Sequence, residues 1–453
     1  MSRSNINVPS GELGRRQFLA RIAALATFPA LAQPARRPAF DTDELAHRAF
    51  RYFWEQADAG TGLVRDRARL DRRPDEPHHW HVASIAATGF GLTALAIGAE
   101  RGWVDGGAAR QRARATLRFF AHRAQHVHGW YFHFLDLASG SRAWQSELSS
   151  IDTALLIAGV LAAGAAFDDD REIAALAQRL YRRLDFQWML AGDRLLLSHG
   201  WTPERGFIPY RWDSYDEATI LYLLGIGAAE RPLAPASWYA WRRPWIDFAG
   251  YRYIAGARPL FIHQYSHAWV DYRHRRERQG EHINYFENSV AATRAHRAFC
   301  ASLHARFPDY DDEHWGITAS EGAHGYMAWG GPPFASDIDG TLVPCAAAGS
   351  LMFTPDLCQD DLAAMLRDYG NGLPARNGFR QPIWGAYGFC DAFNPLTGWV
   401  SPHVLGIDLG IGLLSAENAR SGSVWRWFMS HEAPRQAMAR IELLPEAAPH
   451  PRV

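Results

Sequence analysis

Acidic residues sit at or just before the starts of several unusually apolar segments. Glu147 and Asp152 open Ser146-Glu147-Leu148-Ser149-Ser150-Ile151-Asp152, and Asp213, Asp216 and Glu217 surround Tyr215. Glu287, Asp339 and Asp408 stand in the same relation to the segments that follow them. Acids at helix starts are favoured by capping and the helix dipole, worth about 0.3–1 kcal/mol each. That does not account for the Trp, Tyr and Phe residues beside them. Cleavage of a glycosidic bond needs such a set: one protonated acid gives its proton to the leaving oxygen, and a second carboxylate activates water or attacks the sugar. A glutamate among aromatic neighbours has its charged form disfavoured, which moves its pKa toward the proton-donor range. Glu217 fits that description best.

Other polar clusters were weighed for different chemistry. His78, His79 and His81 share a loop, and His263 and His267 are four apart, a spacing that suits zinc on a helix. No Glu follows His263 to make H-E-x-x-H, so hydrogen bonding to sugar hydroxyls or helix ends is the preferred reading. Neither a metal nor another cofactor is expected. Arg65, Asp66 and Arg67 pair internally or grip a sugar, and Trp201, Trp212, Trp269, Trp315 and Trp384 stack on sugar rings or fill the core.

To bring those acids together, the chain must fold their segments side by side. Helix-like stretches dominate after residue 40, for example 42–56, 82–101, 108–123, 147–166, 171–190, 215–226, 265–272, 285–303, 340–352, 360–369 and 405–420. Segments 84–98 and 153–164 are apolar nearly all round, as interior helices are. They alternate with amphipathic ones, as two concentric rings of helices require. Long aromatic, Gly- and Pro-rich loops (58–81, 198–213, 322–339 and 372–401) separate them, and loops of that length in a folded protein are usually functional. No linker interrupts the pattern, so one domain is expected, with inner helix N-termini converging on a single mouth.

Composition narrows the class. Among 453 residues, Lys plus Arg (47) nearly cancels Asp plus Glu (48), leaving no basic field for nucleic acid. Aromatic residues make up 13% of the chain, which suits the apolar faces of sugars. Arg15-Arg16-Gln17-Phe18-Leu19, a short apolar run and Ala30-Leu31-Ala32 read as a twin-arginine export signal over residues 1–32, implying a periplasmic or secreted protein. After it, no run reaches the roughly 18 apolar residues that span a bilayer, so no membrane association is expected once the signal is cut. Cys300, Cys345, Cys358 and Cys390 form no C-x-x-C pair and are expected as buried thiols.

A set of strings in order along the chain resembles a known family. Tyr52-Phe53-Trp54-Glu55, Gly62-Leu63-Val64-Arg65-Asp66-Arg67, the 84–91 and 146–153 segments, His263-Gln264-Tyr265-Ser266-His267-Ala268-Trp269, 285–289, 315–320 and 385–394 are similar to the glucoamylase-like family that includes bacterial endo-β-1,2-glucanases. The resemblance implies an all-α fold, a single (α/α)6 toroid over 40–432, with 33–39 and 433–453 as short tails. It further implies hydrolysis of β-1,2-glucan or sophoro-oligosaccharides with inversion, by a monomer whose partner is its glucan substrate. It places the proton donor on Glu217 and further catalytic acids on Glu147, Asp152 and Asp408. Substrate-binding candidates are Arg65, Asp66, Asp136, Tyr215, Asp216, His263, Gln264, His267, Trp269, Glu287, Trp315, Glu321, Trp384 and Asp391. Alternatives are a related transglycosylase, an exo-acting hydrolase, or a non-catalytic glycan-binding protein that keeps the aromatic cleft without needing the acids. Near Asp408, Leu409 and Ile411-Gly412 stand where the family more often has Gln and Pro-Ile, a change expected to alter chain-length preference, or exo versus endo action.

Overall fold

Two glycines set a close contact between two helices. In the computed structural model, which describes residues 40–374 and 380–446, a Cβ added to Gly159 would lie 1.9 Å from the Gly89 carbonyl oxygen. These glycines belong to two helices that are buried on every side. The first helices in chain order are α1 (Thr42–Glu55), α2 (Ile85–Glu100), α3 (Gly106–His122), α4 (Ser150–Ala166) and α5 (Arg171–Arg182). Every residue of α2 from Ile85 to Gly98 is buried, and the backbone-to-backbone approach of α2 and α4 is what the two missing side chains permit. By contrast, α5 buries Ile173, Leu176, Ala177 and Leu180, the i, i+3, i+4, i+7 stripe of a helix covered on one side only.

The remaining long elements are α6 (Thr219–Ile226), α7 (Tyr285–Ser302), α8 (Pro344–Ala348), α9 (Pro355–Tyr369), α10 (Gly406–Arg420), α11 (Ser423–Ser430) and α12 (Glu432–Arg440). Packing runs from α2 to α4 and from α4 to α6. Ser266, between α6 and α7, accepts the Ile220 N–H and donates to the Glu217 carbonyl. The neighbouring Gln264 donates to the Ala346 carbonyl of α8. From there α8 packs on α10, and α10 on α2. Helices α1, α3, α5, α7, α9, α11 and α12 cover this set.

Caps fix where the inner helices begin. The Ser84 and Ser149 hydroxyls accept the N–H groups of Ala87 and Asp152. Pro344 starts α8, where its missing N–H costs nothing.

The fold is helix-rich but not purely helical. Short antiparallel pairs occupy parts of the expected loops and the ends of some expected helices: Arg67–Arg69 (β1), Val82–Ser84 (β2), Phe134–Asp136 (β3), Leu148–Ser149 (β4), Gly200–Thr202 (β5), Gly206–Phe207 (β6), Arg275–Glu277 (β7), Ala319–Gly322 (β8), Gly325–Ala328 (β9), His403–Leu405 (β10) and Leu443–Pro445 (β11). Pairing β1 with β10, β2 with β3, β4 with β5 and β8 with β9 satisfies backbone groups that long connections would otherwise leave open. Two of the expected helices differ. Strand β2 replaces the start of the 82–101 helix, and the 265–272 segment forms only 3-10 turns, Leu260–His263 and Ser266–Ala268. The expected tail from residue 433 is also folded as far as Glu446. Helix α12 buries Ala433, Ala437 and Met438, and β11 pairs with β7.

The expected signal peptide (1–32) and the 33–39 tail lie outside the described residues. Among the described residues, no helix is long and apolar enough to cross a membrane, and all four cysteines are buried and unpaired.

Candidate active site

A cleft of ≈ 330 Å³ opens where inner helices begin. Its wall includes His133, Glu147, Asp152, Glu217, Tyr265 and Tyr326, with Trp212, His199 and Phe261 as aromatic lining. Each acid arrives by a short local device. Glu147 precedes β4, Asp152 lies in the first turn of α4, and Glu217 stands two residues before α6.

Glu217 is the acid whose environment is most distinctive. Burial, reinforced by the nearby Asp152 charge, raises its pKa to about 7 against a partly opposing backbone hydrogen bond. It is therefore about half protonated at neutral pH and increasingly protonated below it. Its neighbour Asp216 accepts the Ala218 N–H at 2.9 Å, just ahead of α6; burial and the Glu217 carboxyl push its pKa up as well.

Across the cleft, His133 holds two acids at once. Nδ1 lies 3.0 Å from Glu147 Oε1 and Nε2 lies 3.4 Å from Asp152 Oδ1. Burial works against its charge, but Asp152 and Glu147 outweigh it and raise the imidazole to about 9, so His133 is a cation at neutral pH. The second Asp152 oxygen takes the Ser149 hydroxyl at 2.5 Å. Both oxygens of Asp152 are thus engaged.

Asp408, in the first turn of α10, lies behind Tyr265, whose hydroxyl donates to Oδ1 at 3.3 Å. Burial raises the Asp408 pKa to about 6, against hydrogen bonds from Asp391, Cys345 and Tyr265 that lower it. Asp391 Oδ2 accepts the Glu321 N–H at 2.6 Å. Glu321 in turn receives Arg67 at 2.5 Å, the Ser401 hydroxyl at 2.5 Å and His403 at 3.1 Å. Arg67 also binds Asp66 at 2.9 Å. Asp66, Glu321, Asp391 and Asp408 therefore form one connected acidic wall. His403 continues it to Asp75 at 3.0 Å.

The other substrate-binding candidates lie elsewhere. Arg65 is stacked 3.7 Å over Trp80 and bonded to Gln56 and the Trp80 carbonyl, which leaves it structural. Asp136 closes a turn on Ser139. Tyr215 is buried against Tyr285. His263 and His267 do not share a face, because 3-10 turns place them differently from an α-helix; they meet Asn288 and Ser289. Gln264 ties its turn to Ala346 and Ser350. Trp269 donates to Thr93 in the core, and Trp315 is fully buried. Glu287 is exposed on the covering helix α7, and Trp384 packs with Phe40, Phe389 and Arg48.

Residues that pattern reading passed over include His133, His199, Tyr265 and Tyr326. The one available signal for His133 was a polar residue among aromatics, Phe132-His133-Phe134, one register away from Glu147. Among the described residues, two groups, His133–Glu147–Asp152 and Asp75–His79–His403, have the spacing to hold a cation, although in the first the imidazole already offsets part of the negative charge.

Residues 209–432, just under half of the chain, match the Glycoamylase family model. The chain is 26% identical over 437 residues to an exo β-1,2-glucooligosaccharide sophorohydrolase (non-reducing end) of Parabacteroides distasonis, covering 88% of this chain. The chain spans 57% of the length of that curated relative. An endo-β-1,2-glucanase of Chitinophaga pinensis, solved with sophorotriose and glucose, superposes with a TM-score of 0.80 at 24% identity, over 88% of this chain and 97% of that one. A β-1,2-glucanase of Parabacteroides distasonis gives 0.77 at 24% identity, over 89% and 60%.

Proposed function

We propose that this protein is a glycoside hydrolase acting on β-1,2-linked glucan or its oligosaccharides, with Glu217 as proton donor. The observation that carries the reading is a half-buried Glu217, its pKa raised to about 7, in the same cleft as fixed negative charge. The names of the relatives supply the linkage. Glu217 delivers its proton to the glycosidic oxygen as the bond to the anomeric carbon breaks. A water on the opposite face attacks, and its proton goes to a carboxylate, so that the sugar inverts.

Asp408 serves as that carboxylate better than Asp152. Asp152 already binds Ser149 and His133. Asp408 sits one hydroxyl behind the cleft surface, and Tyr265, bonded to it, bridges the gap. Glu147 and Asp152, with His133, instead fix a local field that favours positive charge developing on the sugar ring. Half-exposed Tyr326, on β9, presents its ring at the cleft wall for stacking against a glucose unit.

The helices that neighbour one another from α2 through α10 and back to α2 support a single (α/α)6 toroid. The twin-arginine segment supports export to the periplasm or medium. Incubation with linear and cyclic β-1,2-glucans, α-1,4-glucans and β-1,3-glucans, followed by product and anomer analysis, tests the activity. Release of sophoro-oligosaccharides with inverted configuration is expected, and exclusive action on starch would overturn the substrate assignment.

A further inference from the structure

Two buried carboxyl oxygens, on acids that line one small cavity, have no hydrogen-bond partner. Asp391 Oδ2 is occupied by the Glu321 N–H, and Asp408 Oδ1 by the Tyr265 hydroxyl. What remains is Asp391 Oδ1 and Asp408 Oδ2, each sealed from solvent and neither with a donor of its own. The two side chains nonetheless lie within hydrogen-bonding reach of each other. Two carboxylates cannot make that bond; a carboxylic acid and a carboxylate can.

We infer that Asp391 and Asp408 share a single proton, carried on Asp391 Oδ1, and that Asp391 is the positioning residue that keeps Asp408 ionised and aimed at Tyr265. This rests on the reading of Asp408 as the base. The surroundings favour it. The groups facing the pair are Tyr265, Tyr326, Cys345 and Cys390, all neutral, together with Asp66, Glu321 and Arg67. The one cation of that set, Arg67, is spent on Asp66 and Glu321. A second full charge on the pair would be buried without compensation, which costs several kcal/mol in general. Asp391 resolves this by staying an acid, and its O–H then supplies the hydrogen bond that Asp408 needs to stay charged.

Two variants read opposite signs. With Asp391→Leu, Asp408 loses its donor while remaining buried, so the acid limb of kcat/KM moves up by about a pH unit or more. Were Asp391 an anion, the same change would remove a like charge and the limb would move down. Asp391→Asn replaces one neutral donor by another. It should keep the limb within about half a unit and retain at least about tenfold more turnover than Asp391→Leu, the scale of a lost general-base contact. An activity-independent check is the infrared band of a protonated carboxyl at neutral pH. It is expected in the parent protein and diminished in Asp391→Asn, and an unchanged band would overturn the inference. If Asp408→Asn kept full turnover while the band behaved as expected, the base assignment would fail and the shared proton would stand.

Discussion

The Tyr265 hydroxyl donates to Asp408 across 3.3 Å while the Tyr265 ring helps form the wall that Glu217 also lines. One side chain thus joins an acid in the cleft to an acid behind it. In the proposed mechanism, that connection lets the two carboxyl groups act on one glycosidic bond.

Glu217→Gln keeps the size and the hydrogen bonds of the side chain but cannot give up a proton. Turnover should fall at least about a hundredfold, the scale of general acid catalysis. Binding of a sophoro-oligosaccharide, measured by calorimetry, should persist. Near-normal turnover would remove Glu217 from its role; lost binding with an intact fold would point to a structural one.

The pH profile follows from two shifts. Glu217 must be protonated, and burial raises its pKa to about 7, so kcat/KM declines as pH rises through that value. Asp408 must be ionised, and burial raises it to about 6, so activity also declines below that value. A narrow bell with its maximum between these limbs is expected in steady-state assays. A flat profile from pH 5 to 9 would contradict both assignments.

His133 faces Glu147 and Asp152 as a cation, which leaves less net negative charge near Glu217. His133→Ala exposes Glu217 to an unscreened Asp152. The alkaline limb should then move upward by about half to one unit. A downward shift would mean that the imidazole is neutral in the working enzyme.

A raised carboxyl pKa is a stability cost above its ordinary range. Folded Glu217 binds a proton more tightly than the unfolded chain does, so stability is lost as pH rises from the model value of 4.5 to about 7. Glu217→Gln should therefore stabilise the fold at pH 8 by about 1–3 kcal/mol, the free energy of a shift of that size. At pH 4 it should change little. Urea denaturation at the two pH values separates these cases.

The close helix pair makes a separate prediction. A methyl at position 159 would fall 1.9 Å from the Gly89 carbonyl oxygen, with backbone rather than a flexible side chain in its way. Gly159→Ala should cost about 2 kcal/mol or more through overpacking, seen as a lower denaturation midpoint. An unchanged midpoint would show that α2 and α4 can slide apart.

The sequence reached this site unevenly. Acids that open buried helices are local features, so Glu147, Asp152, Glu217 and Asp408 could be picked out by neighbours alone. Residues arriving through hairpins could not. His133 meets Glu147 because a connection folds back and pairs through Phe132 and Leu148, a contact with no periodic signature. Tyr326 reaches the cleft on β9, whose residues are all exposed and carry no burial pattern. The aromatic and histidine candidates at 263–269 failed for the opposite reason. Their motif is recognisable, but its work is to tie the α6 side of the molecule to α8 through Gln264, Ser266 and Ser289.

Glu217 stands beside one of the shortest inner helices, and that helix leans on the far end of the chain. A Cβ at Gly227 would collide with the Ala433 carbonyl at 2.1 Å, Arg440 bonds the Ile226 carbonyl, and Tyr239 bonds that of Ile441. These C-terminal residues line no part of the cleft, yet they buttress the footing of Glu217, whose pKa burial raises. A version trimmed near residue 430 would keep every group in the cleft wall and still lose its tuning, because the keystone sits outside the arch.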